Sequence, residues 1–208
     1  MKTDDLIDNL TKDHKKVEVV VFNSWTIFKL SLSILFSVGA AVAILGLRFD
    51  IQSQLHRTHF LVESLVLLVL AVLSCASALL LSIPGQQTKV LRRLPILTLF
   101  AWLGLLIYAA TRYPYLPAGW GFACVADIVG LSIVPAGLLF YFIRKAAPLK
   151  RDRIGFLILL SAASYGAFGT QLICYISSPL HLLVWHLLPT VLIAFLGIYL
   201  GRRFIIKI

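Results

Sequence analysis

Six stretches of mostly apolar residues, at about Thr26 to Leu47, Phe60 to Ile83, Leu94 to Ala110, Phe122 to Ile143, Ile154 to Ile176 and His181 to Leu200, divide the chain almost end to end. Each is close to the roughly 20 residues that a helix needs to cross about 30 Å of hydrocarbon at 1.5 Å per residue. Lipid offers no partners to backbone N–H and C=O groups, so only helices and closed barrels span it. These continuous runs lack the alternation of a barrel strand. The expected fold is therefore all-α, a polytopic membrane bundle of six transmembrane helices. Composition agrees: 13% of residues are charged, against about a quarter in soluble proteins. No connection is long enough for a further domain. Residues 1–25 are expected to form a separate polar segment, and 26–208 the membrane domain.

The small residues Ala41 to Ala43 imitate a leader cleavage site, but five acids precede the first apolar run where a leader carries a short basic region, and the run continues beyond the motif. The first run is thus expected to remain as a helix. Orientation follows from charge. With the N-terminus in the cytoplasm, 16 of the 19 Lys and Arg fall on the cytoplasmic side, leaving Arg48, Arg57 and Arg112 outside. That asymmetry is the positive-inside pattern and predicts both termini cytoplasmic. It also accounts for the formal charge of +10 without a nucleic-acid partner, since no soluble domain carries a basic face.

The opening "MKTDDLIDNL" is acidic in a basic protein. With Thr3 as N-cap, Asp4 and Asp5 fall in a first helical turn, where negative charge suits the helix dipole. Leu6, Ile7, Leu10 and His14 then line one side at helical spacing. So short an amphipathic helix is marginal alone, and anionic lipid repels its aspartates, so a basic protein groove suits it better than a membrane surface. An unstructured tail with incidental amphipathicity is the alternative.

At the far side of the spans, Cys124 near the start of the fourth and Cys174 near the end of the fifth fall in one layer with Glu63, Asp127, His181 and His186. Two thiols there form a disulfide, bind a soft metal ion, or simply pack as small residues. His181 and His186 are five apart, which on an α-helix points them in different directions, so joint ligation from one helix is not expected. Cys75, among Leu and Ala in mid-span, reads as packing. Pro135 and Pro189 are expected to kink their helices, and Ser161, Ala162, Ala163, Gly166 and Gly169 to let the fifth helix pack closely.

The start "MKTDDLIDNL", the six spans, "GFACVADIVG" and "LICYISSPLHLLVWH" together resemble the negative-regulator-of-sigma-F family of bacterial inner-membrane proteins. The resemblance implies an anti-sigma factor whose short N-terminus holds an extracytoplasmic-function sigma factor until an envelope stress is sensed; the cysteine layer makes a metal or thiol-reactive stress at the periplasmic face the expected signal. Carried over by position, the resemblance implies partner binding at Thr3, Asp4, Asp5, Leu6 and Leu10, and sensing at Cys124, Cys174, His181 and His186, with Trp185 beside them. The expected partners are then lipid and a sigma factor, with a possible soft metal ion at the periplasmic face from the thiol and imidazole layer, and no direct contact with nucleic acid. No cofactor and no catalysis are expected, because the sequence carries no nucleotide loop, haem-ligand spacing or metal-enzyme motif. A small polytopic transporter is the competing class, and it would require a polar site at mid-depth.

Overall fold

The computed structural model describes residues 22–83, 88–112, 121–146, 148 and 150–205. Among them there is no strand. Seven helices follow in order: α1 (Ser24–Leu45), α2 (Ile51–Leu55), α3 (Thr58–Ser82), α4 (Lys89–Arg112), α5 (Phe122–Arg144), α6 (Arg151–Ile173) and α7 (Pro179–Phe204). All but the short α2 are long and apolar enough to cross a membrane, at 22 to 26 residues, or about 33 to 39 Å at 1.5 Å per residue.

The six expected spans are all present, with shifted ends. Asn23 caps α1, its side chain accepting from Thr26 N at 2.8 Å, so the helix starts before Thr26. α4 begins at Lys89 rather than Leu94, taking Arg92, Arg93 and Pro95 into its first turns, where long basic side chains can reach the headgroups. α6 stops at Ile173, and Cys174 caps it in an extended conformation instead of continuing the helix to Ile176.

The long helices alternate in direction. Ser31 near the start of α1 lies 3.7 Å from Cys75 late in α3, and Arg48 after α1 donates its N–H to Leu172 O near the end of α6 at 3.0 Å. α6 is the centre of the bundle and packs against α1, α3, α5 and α7. Its run Ser161 to Ala163 is fully buried. A side chain at Gly166 would lie 2.6 Å from Ile128 O of α5. These small residues let backbones approach where lipid supplies no hydrophobic drive. The closest approach joins Gly155 of α6 to Gly197 and Gly201 of α7: a Cβ on Gly155 would meet Gly197 O and would lie 2.6 Å from Gly201 Cα. "GIYLG" is a small-xxx-small pair that marks this seam in the sequence.

The outer helices show two faces. In α1, Leu30, Ile34, Val38 and Val42, each four apart, point into the bundle, while Phe36 and Ile44 are 77% and 85% exposed. Such an apolar outward face is the surface of a body solvated by lipid.

Candidate functional site

Three chain segments meet at one end of the bundle, and each delivers sulfur or imidazole. Cys124 sits in the first turn of α5, Cys174 is the cap residue of α6, and His181 and His186 lie in the first turns of α7. All four are buried, both histidines at 1% exposure. The two Sγ atoms are 3.4 Å apart, both thiols are free, and His181 Nε2 lies 3.5 Å from Cys124 Sγ and 3.6 Å from Cys174 Sγ. His186 contributes a ring nitrogen, and the four potential ligand atoms all lie within 4.8 Å of one another.

The two histidines overturn the expectation that they diverge. Their rings are 5.6 Å apart, because residues Leu183–Leu187 form a π-helical turn. Five residues on an α-helix turn through about 140° beyond one revolution, whereas i→i+5 bonding widens the turn so that positions five apart come back to one face. Pro189 supplies a local reason. It has no N–H for Trp185 O, and its ring would clash with that carbonyl in a regular α-helix, so a wider turn relieves both faults. Thr190 donates its hydroxyl to His186 O at 2.8 Å, satisfying a carbonyl within the loosened turn.

Trp185, between the histidines, holds α7 against the start of α5. Its ring meets Phe122 edge-on at 5.0 Å and lies where a side chain on Gly121 would have to go. Only glycine at 121 permits this approach. Cys124 is thereby held in line with the imidazoles.

Arg48 secures the segment that carries Cys174. It is 5% exposed, and it donates to Tyr175 O at 3.0 Å, to Ser177 Oγ at 2.9 Å, and to both oxygens of Asp50 at 2.6 and 3.0 Å. The Arg48 bonds to Asp50, with a further one from Gln54, hold the Asp50 carboxyl well below the usual carboxylate range. In the sequence Arg48 stands out only as one of three outer cations. Its hint was an Arg–x–Asp immediately after an apolar span, a short-range pair that has little reason to form unless it also holds something else.

The remaining acids of the layer are outside the group of four potential ligands. Glu63 of α3 is buried, receives Gln171 Nε2 at 3.2 Å, and keeps its Oε1 without a hydrogen bond. It faces a cavity of about 70 Å³ whose wall also includes Arg48, His59, Gln171, Cys174 and His186. Asp127 is half-buried one turn beyond Cys124 on α5. Cys75 is fully buried near Ser31, away from this layer. The N-terminal residues Thr3, Asp4, Asp5, Leu6 and Leu10 lie outside the described residues.

At the opposite end, Lys89, Arg92, Arg93, Lys150 and Arg153 line a cavity of about 500 Å³ with an apolar floor. A family model described as negative regulator of sigma F matches residues 10–206. No curated protein and no solved structure matches the chain.

Proposed function

The chain belongs to the negative regulator of sigma F family, and from that premise we propose that it is an inner-membrane anti-sigma factor for an extracytoplasmic-function sigma factor. The segment around Thr3, Asp4, Asp5, Leu6 and Leu10 holds the sigma factor on the cytoplasmic side. The layer of Cys124, Cys174, His181 and His186 receives a thiol-reactive or soft-metal signal on the periplasmic side.

One observation carries this reading: four reactive side chains from three segments converge at the end of the bundle opposite the basic cavity. Positive-inside orientation puts that cavity, and the start of α1 with it, in the cytoplasm. An acidic, apolar N-terminal segment complements the basic surfaces with which sigma factors meet DNA phosphates, and tethering keeps a bound partner away from the nucleoid. α6 runs between the two ends and packs on four neighbours, so a change at its Cys174 cap can bias the other end. Coupling of about 1 to 3 kcal/mol would change partner affinity roughly 5- to 150-fold. A transporter would need a polar site at mid-depth, where the buried polar side chains include the hydroxyls of Ser74, Ser132 and Ser161. Among the described residues the buried charged groups are Arg48 and Glu63, both at the end that carries the cluster.

The test is co-purification. Leu6→Asp with Leu10→Asp should release the sigma factor while the chain still inserts normally. Retention of the sigma factor by that variant would remove the N-terminal segment from the scheme.

A further inference from the structure

We propose that Cys124, Cys174, His181 and His186 form a closed tetrahedral site for one resident divalent cation of the zinc class. The argument begins with spacing. At tetrahedral angles, with metal–sulfur bonds of about 2.3 Å and metal–nitrogen bonds of about 2.05 Å, ligand atoms are about 3.8 Å apart for S···S and about 3.6 Å for S···N. The triangle formed by the two Sγ atoms and His181 Nε2 has sides of 3.4, 3.5 and 3.6 Å. Shifts of a few tenths of an ångström convert it into three corners of that tetrahedron.

His186 supplies the fourth corner. A ring nitrogen of this side chain lies within 4.8 Å of the other three ligand atoms. Its Nε2 is buried without a hydrogen-bond partner, an arrangement that leaves a buried polar atom unsatisfied unless something occupies its lone pair. A thiol–imidazole network accounts for the triangle, yet it leaves His186 Nε2 without a partner of hydrogen-bond geometry. The π turn has the same logic, since it places two imidazoles on one face at the cost of regular helix geometry.

The donor set selects the ion. Two sulfurs and two imidazoles favour zinc or a softer ion over calcium or magnesium, which take oxygen. Binding displaces two thiol protons, M²⁺ + 2 RSH → M(SR)₂ + 2 H⁺, so the filled site is neutral and suits a buried position at a membrane boundary. The small cavity with Cys174 and His186 in its wall offers a way in, and the Glu63 carboxylate in the same wall is a first oxygen ligand for an ion shedding water. A softer divalent ion such as Cd²⁺ would exchange for zinc one for one with no change of charge. That gives the site a chemical input, a role that rests on the anti-sigma reading, whereas the site itself does not.

The test uses the full chain in detergent, purified without chelator under a mild reductant, with metal measured by mass spectrometry and any sigma factor scored on the same preparation. We expect about one zinc per chain, none in Cys124→Ser with Cys174→Ser, and a reduced content in His186→Gln, a milder variant that keeps the cysteines. After chelation, added Co²⁺ should give the intense visible bands of tetrahedral cobalt and a near-ultraviolet thiolate charge-transfer band in the wild type. Equal metal content in wild type and the double variant would overturn the site. So would a weak octahedral cobalt spectrum, or a metal-free wild type whose mass shows two hydrogens lost to a disulfide. Metal without any sigma factor would leave the site standing and count against the anti-sigma reading; a sigma factor without metal would do the reverse.

Discussion

Arg48→Met should unfasten the chain around Cys174 while leaving the bundle folded. The methionine removes the guanidinium, with its bonds to Asp50, Tyr175 and Ser177 and its place over the Phe60 ring, while the backbone N–H of residue 48 still donates to Leu172 O. The magnitude comes from the two bonds to the segment itself, at 3.0 Å to Tyr175 O and 2.9 Å to Ser177 Oγ. A hydrogen bond from a charged donor contributes about 1.5 to 3 kcal/mol when buried. Here both acceptor residues are exposed and regain water when released, so the pair together contributes about 1 to 3 kcal/mol. The open form of the segment should therefore become about 5- to 150-fold more populated. Cys174 is only 8% exposed in the closed form, so its alkylation by a small maleimide reports the opening directly. The variant should react faster by that factor, while fully buried Cys75 should keep its wild-type rate. Equal rates at Cys174 in both proteins would refute the clamp.

Two further substitutions test the packing. Gly155→Val places side-chain atoms against the backbone of Gly197 and Gly201, which cannot yield locally, so α6 and α7 must separate. A loss of about 1 to 3 kcal/mol or more is expected, read as a lower unfolding midpoint in detergent, and an unchanged midpoint would count against the glycine seam. Gly121→Ala should push Trp185 off Phe122, since the new Cβ would lie 2.6 Å from Trp185 Cβ. Tryptophan emission should then move to the red, and an unshifted spectrum would mean that the indole does not pack there.

Membrane spans are legible in a sequence because hydrocarbon thickness sets their length, and all six of these were found with ends off by a few residues. Ends depend on local chemistry. Asn23 caps early, Cys174 leaves the helix, and Lys89, Arg92 and Arg93 are part of the helix, as long basic side chains near a span end can be. The layer shared by Cys124 and Cys174 was also readable, as it follows from counting along alternating helices. The pairing of His181 with His186 was not, because a regular 3.6-residue period was assumed and Pro189 breaks it three residues later. Pro189 announces a break in regular helix geometry, and the structure shows that break as the wider turn Leu183–Leu187. Arg48 was missed for a different reason: its partners Tyr175 and Ser177 lie more than 120 residues away, and no local pattern encodes such a contact.

The most direct test is the affinity of the co-purifying sigma factor for the full chain in lipid nanodiscs, with and without Cd²⁺. If the sulfur and imidazole layer governs release, Cd²⁺ should weaken binding by roughly 5- to 150-fold in the wild type and leave Cys124→Ser with Cys174→Ser unaffected. Identical affinity for the wild type with and without the ion would contradict the account.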